Sequence, residues 1–324
     1  EDRAYFRKHR APLTRLNIKY QRMMMGAAAY ASNHHIGVGF SSSQYIQGVP
    51  YKFDENGKVT NADSAHLYGG LIGHEMGHVM DIGDRLYPET SNNLMTAITG
   101  TMLNENSPYF DSFKKVYEKV TSNTIGLSTD RTVVLNMLWQ PYLAYEDNIT
   151  YEMLFTDVDA DLTNDSYFAK LNRAYREMSE EERVNGDRDQ WLIRLTSKVV
   201  GKDLTDFYEA HGIIANETTL AYVSKFPKET KKIQYINDEA RRQRIAGTAD
   251  MEEGTTLSAS FADGITTGSY VDSKEVKINL SVDKSNDRIL GYEIYRNGEP
   301  CGFIERDKAN SQTVYTDTVE NINN

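Results

Sequence analysis

His74-Glu75-Met76-Gly77-His78 is the stretch that most constrains this chain, because it sets two imidazoles four residues apart with a carboxylate between them. On an α-helix such residues share a face, so both rings can close on one metal ion while Glu75 points at the open coordination position. The surrounding pattern predicts that helix. Leu67, Leu71, Ile72, Val79 and Met80 recur at threes and fours, Asp63 or Ser64 can cap the start, and Asp81 to Asp84 with Gly83 end it. Gly69, Gly70, Gly73 and Gly77 weaken the helix by roughly 1 kcal/mol each relative to Ala when interior. So much glycine is expected where another backbone or a substrate passes close. The plainer reading is a surface helix carrying two unrelated histidines, so the rest of the chain has to decide.

Upstream, residues 1–25 read as packing and solvated charge, and residues 26–40 as a strand pair whose second member runs over 35–40. His34 and His35 are adjacent in that strand, point to opposite faces and cannot share an ion. A strand-like 49–53 leads into a turn at 54–58. Downstream, helical patterns run from about Pro88 to Met102 and over 109–121, 132–145, 166–178, 189–200 and 203–210, the last with Asp203 as N-cap and Gly212 as stop. The expectation is an α+β catalytic domain over 1–245, with an α-helical lobe behind the metal helix and a small β-lobe from 26–60.

Beyond a boundary in 241–254 the chain reads as strands at 255–261, 275–282, 290–296, 301–305 and 313–316, with Asn297-Gly298 as a hairpin turn. Residues 246–324 thus resemble a fibronectin type III or immunoglobulin-like β-sandwich, incomplete because five strands are too few. Asp157, Asp159 and Asp161 mimic the start of a calcium loop, but the central Gly is missing and Phe168 stands where the bidentate Glu belongs.

With 36 basic against 47 acidic side chains, a net charge of −11 makes nucleic acid an unfavourable partner. No apolar run approaches the roughly 20 residues of a membrane span, and no signal-peptide pattern opens the sequence. Because Glu1 is not an initiator Met, the chain reads as a piece of a longer one. Cys301 is the only cysteine, so neither an intrachain disulfide nor a thiolate metal cluster can form. The 21 tyrosines suit sugar and peptide contacts, and equally half-buried packing.

A catalytic zinc takes three protein ligands and keeps one position for water, so His74 and His78 need a third partner. Glu89 ranks first, because ten residues separate it from His78 and a short loop at a helix start can fold it back. Asp84 ranks second, at the third-ligand position of a metzincin-like pattern whose turn glycine is replaced by Asp81. Glu105 lies far along the next helix.

His74-Glu75-Met76-Gly77-His78 followed by Glu89-Thr90-Ser91-Asn92-Asn93 resembles the enhancin-like zinc metallopeptidases, metallopeptidase family 60. The likeness extends to Ala29-Tyr30, to His35-Ile36-Gly37-Val38, to 132–145 and to the stretch from Asp203 to Gly212. It departs at Ala210-His211-Gly212, where an aromatic is expected before the glycine. The resemblance implies a gluzincin, thermolysin-like fold and a secreted endopeptidase of O-glycosylated proteins such as mucins, working outside the cell or at its surface. It implies Zn2+ held by His74, His78 and Glu89, with Glu75 as general base on a zinc-bound water. Asn92 and Asn93 are candidates to hold a ligand side chain in place or to contact substrate. The chain is expected to act as a monomer within a longer multidomain protein, with no membrane span in this stretch. Strand 35–40 stands where thermolysin-like enzymes keep the edge strand that pairs with substrate, an interior strand being the alternative. Two other functions fit the residues: a non-catalytic glycan-binding adhesin module, and a zinc peptidase of unglycosylated proteins.

Overall fold

Arg131–Tyr145 forms a helix in which every residue from Val133 to Leu143 is buried. A helix buried on all sides belongs at the centre of its lobe. Trp139 stacks on Tyr142 at 4.2 Å and both rings stack on Phe168. The computed structural model describes residues 17–22, 27–32, 35–39, 52–56, 60, 70–80, 87–103, 113–147, 166–179, 181–182, 186–251, 257–261, 275–282 and 288–318. In chain order these hold β1 Asn17–Gln21, β2 Ala29–Ala31, β3 His35–Gly39, α1 Gly70–Met80, α2 Asn93–Leu103, α3 Lys114–Thr121, α4 Arg131–Tyr145, α5 Tyr167–Glu177, α6 Arg188–Val200, α7 Thr205–Ala210, α8 Glu217–Val223 and α9 Asp238–Ile245. A 3-10 turn spans Ile233–Tyr235.

The helices start where short polar side chains accept the free backbone N–H groups of the first turn. Asp130, Ser166, Asp187, Asn216 and Asn237 do so for α4, α5, α6, α8 and α9. Asp203 accepts from the Thr205 amide, one residue before the position expected of an N-cap. Helix α8 has no counterpart among the helices expected from the sequence, and α9 runs into the stretch 241–254, read as a boundary.

The small sheet has the order β1-β3-β2, with β3 parallel to β1 and antiparallel to β2. Ile36 and Val38 of β3 are buried against Ile72 of α1, with Ala29, Leu71 and Met76 around them, so the sheet carries the metal-motif helix on one face. Two expectations are corrected here. Residues 17–21, read as packing and solvated charge, supply a strand. Strand β3 is paired on both sides, so it cannot be the edge that receives a peptide; among the described residues the edges of this sheet are β1 and β2.

Strands β4 Leu257–Phe261, β5 Glu275–Val282 and β8 Thr313–Thr318 form one antiparallel sheet, and β6 Gly291–Arg296 with β7 Glu299–Glu305 form a hairpin. Asn297 and Gly298 both take positive φ, 54° and 87°, as a two-residue hairpin turn of this sequence requires. The hairpin lies on the helical lobe, where Phe303 stacks on Tyr235 at 4.8 Å and meets Tyr117 at 4.7 Å. No helix among the described residues is long and apolar enough to cross a membrane.

Candidate metal centre

Two residues of α1 explain the glycine content. A Cβ on Gly77 would stand 1.9 Å from the carbonyl oxygen of Asn92, and one on Gly73 would stand 2.6 Å from Thr96 Oγ1. The glycine face of α1 is therefore pressed against the first turn of α2 and the residue before it. His74 and His78 each follow one of these glycines, so the imidazole stripe is next to the contact stripe. The turn that leads into α2 is thereby brought to the histidines.

Glu89 is in that turn, at a φ of 58° that a non-glycine residue rarely adopts. Its two carboxylate oxygens lie 3.1 Å from His74 Nε2 and 3.4 Å from His78 Nε2. The three ligand atoms all fall within 4.8 Å of one another. Bonds of zinc to nitrogen and oxygen near 2 Å, arranged tetrahedrally, space ligand atoms about 3.3 Å apart. The chemistry of the donors fits as well. Asn93 Oδ1 stands 2.9 Å from His74 Nδ1, so that nitrogen carries the proton and Nε2 keeps its lone pair. Asn92 Nδ2 donates to the His74 carbonyl and lies 3.1 Å from His78 Nε2, a contact that an ion on that nitrogen's single lone pair would displace. An imidazole nitrogen and a carboxylate oxygen this close need a proton or a cation between them. This donor set fits a divalent ion such as zinc.

Asn92 and Asn93 are both buried behind this cluster. Asn93 also donates to the Glu89 carbonyl at 3.2 Å, so one amide touches a histidine ligand candidate and the backbone of the third. Asn92 Oδ1 is buried without a hydrogen-bond partner. Glu75 is only 5% exposed. Desolvation raises its carboxyl above the ordinary value, His74 and His78 act against that rise, and Glu89 adds to it. Glu75, His74, His78 and Glu89 line a cleft of about 960 Å³ whose other wall is Ala28 to Ala31, the start and body of edge strand β2.

His35 is not part of the cluster: its ring lies against Tyr30 and hydrogen-bonds to the Tyr30 hydroxyl and to Ser32 Oγ. Asp84, Glu105, His34 and the calcium-like Asp157 to Asp161 lie outside the described residues. One contact had no signal in the sequence. The Tyr87 hydroxyl donates to Asp189 Oδ1 at 2.6 Å, linking the Glu89 turn to the start of α6.

A helix that presents two imidazoles and a carboxylate to one cleft, with a second carboxylate returned by the next turn, is an arrangement found in metal-dependent hydrolases. The chain belongs to the peptidase M60 family, enhancin and enhancin-like, whose model matches residues 8–212. Its fold is similar to that of the ZmpB metallopeptidase from Clostridium perfringens, at 26% identity and a TM-score of 0.60 over 91% of this chain and 50% of that one. A structure of the CBM32-1, CBM32-2 and M60 catalytic domains of Clostridium perfringens ZmpB matches at 25% identity and a TM-score of 0.61, over 94% of this chain and 28% of that one. The M60 catalytic domain of Clostridium perfringens ZmpC, solved in complex with the sialyl T antigen, shares the fold at 23% identity and a TM-score of 0.60, over 94% of this chain and 52% of that one. The chain thus spans about half, or less, of the solved chains it matches. No curated protein matches it.

Proposed function

We propose that the chain is the catalytic part of a secreted, zinc-dependent endopeptidase of gluzincin type that hydrolyses peptide bonds of O-glycosylated proteins such as mucins. The observation that carries this is the convergence of His74, His78 and Glu89 on one point of an open cleft, with Glu75 on the same wall. In this reading those three residues hold Zn2+, residues 1–245 form the catalytic domain and 246–324 a β-module. Zinc, when bound, lowers the pKa of water from about 15.7 to roughly 7 and polarises a carbonyl oxygen. Glu75 accepts the proton of the attacking water and then delivers it to the leaving amine nitrogen. A partly desolvated carboxyl with a raised pKa suits both halves of that exchange. Asn93 fixes the His74 ring, and the backbone of β2 is available to pair with an extended peptide across the cleft.

Glycoprotein preference and action outside the cell draw support from the family and from the ZmpC domain solved with a sialylated antigen. The test is cleavage of a mucin before and after enzymatic removal of its O-glycans, with a chelator control and Glu75→Gln alongside. Cleavage of the glycosylated form only, lost with chelator, is expected, and Glu75→Gln should keep zinc while losing turnover by a factor of at least about 100. Equal cleavage of both forms would make it a peptidase of ordinary proteins. Glycan binding without cleavage would make it an adhesin module.

A further inference from the structure

Glu89 is more exposed than either histidine, with 49% of its side chain accessible against 22% and 27%. It also sits at a positive φ. Such a residue does not hold its own position; the turn around it must. The backbone carbonyl of Tyr87 accepts from the Thr90 amide at 3.0 Å, the Ser91 amide at 2.9 Å and Ser91 Oγ at 3.3 Å. Residue 87 thus accepts three of the hydrogen bonds that fold the chain back at Glu89, and Asn93 Nδ2 holds the Glu89 carbonyl from the other side. The side chain of Tyr87 packs against the helical core and is anchored by its hydroxyl to Asp189, 102 residues away in the first turn of α6.

We propose that Tyr87 and Asp189 are positioning residues for the metal centre: their hydrogen bond fixes the turn that presents Glu89 and so sets how tightly the site holds zinc. Neither side chain touches the cluster; both act through the turn. Partners that orient a metal ligand from outside are typically worth about 10- to 100-fold in metal affinity. The proposal rests on His74, His78 and Glu89 being the ligands, and the experiment separates the two claims.

Zinc affinity is measured on the full chain by competition with a chromogenic chelator, at a temperature where each protein is folded by circular dichroism and with the metal-free melting point recorded. The unaltered chain is expected to bind one zinc and His74→Ala to lose it. Tyr87→Phe is expected to bind zinc about tenfold more weakly or worse. Asp189→Ala should match it, and the double variant should be no weaker than either single one. Asp189→Asn keeps an oxygen for the tyrosine hydroxyl, so it should restore near-normal affinity; a role in folding alone would move the melting point and leave the zinc affinity of the folded chain unchanged. Normal affinity in Tyr87→Phe and Asp189→Ala, with tight binding by the unaltered chain, overturns the positioning role and leaves the ligand assignment standing. Absence of zinc binding by the unaltered chain overturns both. Should Tyr87→Phe fail to fold, the two Asp189 variants decide.

Discussion

His211 carries no charge inside the helical lobe. It is 1% exposed, and burial, with the nearby Lys119 ammonium adding to it, lowers its pKa to about 3. Gln140 donates through Nε2 to the carbonyls of Gln234 and Ile236, which turns its Oε1 toward His211 Nε2 at 3.0 Å and makes that nitrogen the donor. The unfolded chain binds a proton here near pH 6.5 and the folded chain does not until about pH 3. Stability from this group is therefore complete above pH 6.5 and falls as the pH drops toward 3, by about 1.4 kcal/mol per unit. Between pH 6.5 and 4.5 the loss should be about 2–3 kcal/mol. Urea melts of the unaltered chain and His211→Asn across that range check it: the variant should have the shallower pH slope, and parallel slopes would refute the assignment. At this scale the sequence was readable for the meeting of His74, His78 and Glu89, whose types and spacing call for it. It was silent on His211, because burial among residues far along the chain leaves no local pattern. Gly212 was legible as a helix stop; its φ of 86° agrees, and a Cβ there would stand 2.3 Å from the Gly126 carbonyl oxygen.

Helix α1 shows how an element can be called for by its sequence for reasons the sequence does not disclose. Its apolar period was plain, and its glycines were rightly expected to mark a close approach, but what approaches is the start of α2. That contact joins residues 15 or more apart, beyond the reach of periodicity. Gly77→Ala gains helix propensity of roughly 1 kcal/mol and meets a backbone oxygen that cannot move aside alone. The net effect should be a loss of about 1–3 kcal/mol together with weakened metal binding, as the turn bearing Glu89 is pushed away from the histidines. A melting curve and a zinc titration on that variant check both. Strand β3 misled for a related reason. Its Gly-rich alternation is the same whether it is central or at an edge, and only β1, arriving in parallel from upstream, makes it central.

For the whole molecule, the division at residue 245 is a proposal, but the β6–β7 hairpin is tied to the helical lobe in any case. Besides the Phe303 contacts, Tyr235 donates to Glu293 at 2.7 Å, and Arg306 and Lys308 both pair with Glu239. Removing the half-buried ring by Phe303→Ala should cost about 2 kcal/mol, roughly half of what a fully buried Phe loses, and lower the melting point of the helical lobe as well as of the hairpin. Two separate melting transitions, with only the later strands affected, would show that the hairpin contributes nothing to the lobe. The helices as far as α7 and the Asn297-Gly298 hairpin were legible because each is written in local residues, whereas α8, α9 and the docking of the hairpin on the helices were not.

The residues that converge at the metal centre all lie between Gly70 and Leu103, and the clasp that steadies them reaches to Asp189. Contacts between near neighbours in sequence close quickly, and distant ones wait on the rest of the chain. Assembly of the cluster and the fixing of its third member are then separable in time: the local contacts of α1 with the start of α2 can form before the helical lobe exists, and the turn bearing Glu89 is clasped when α6 arrives.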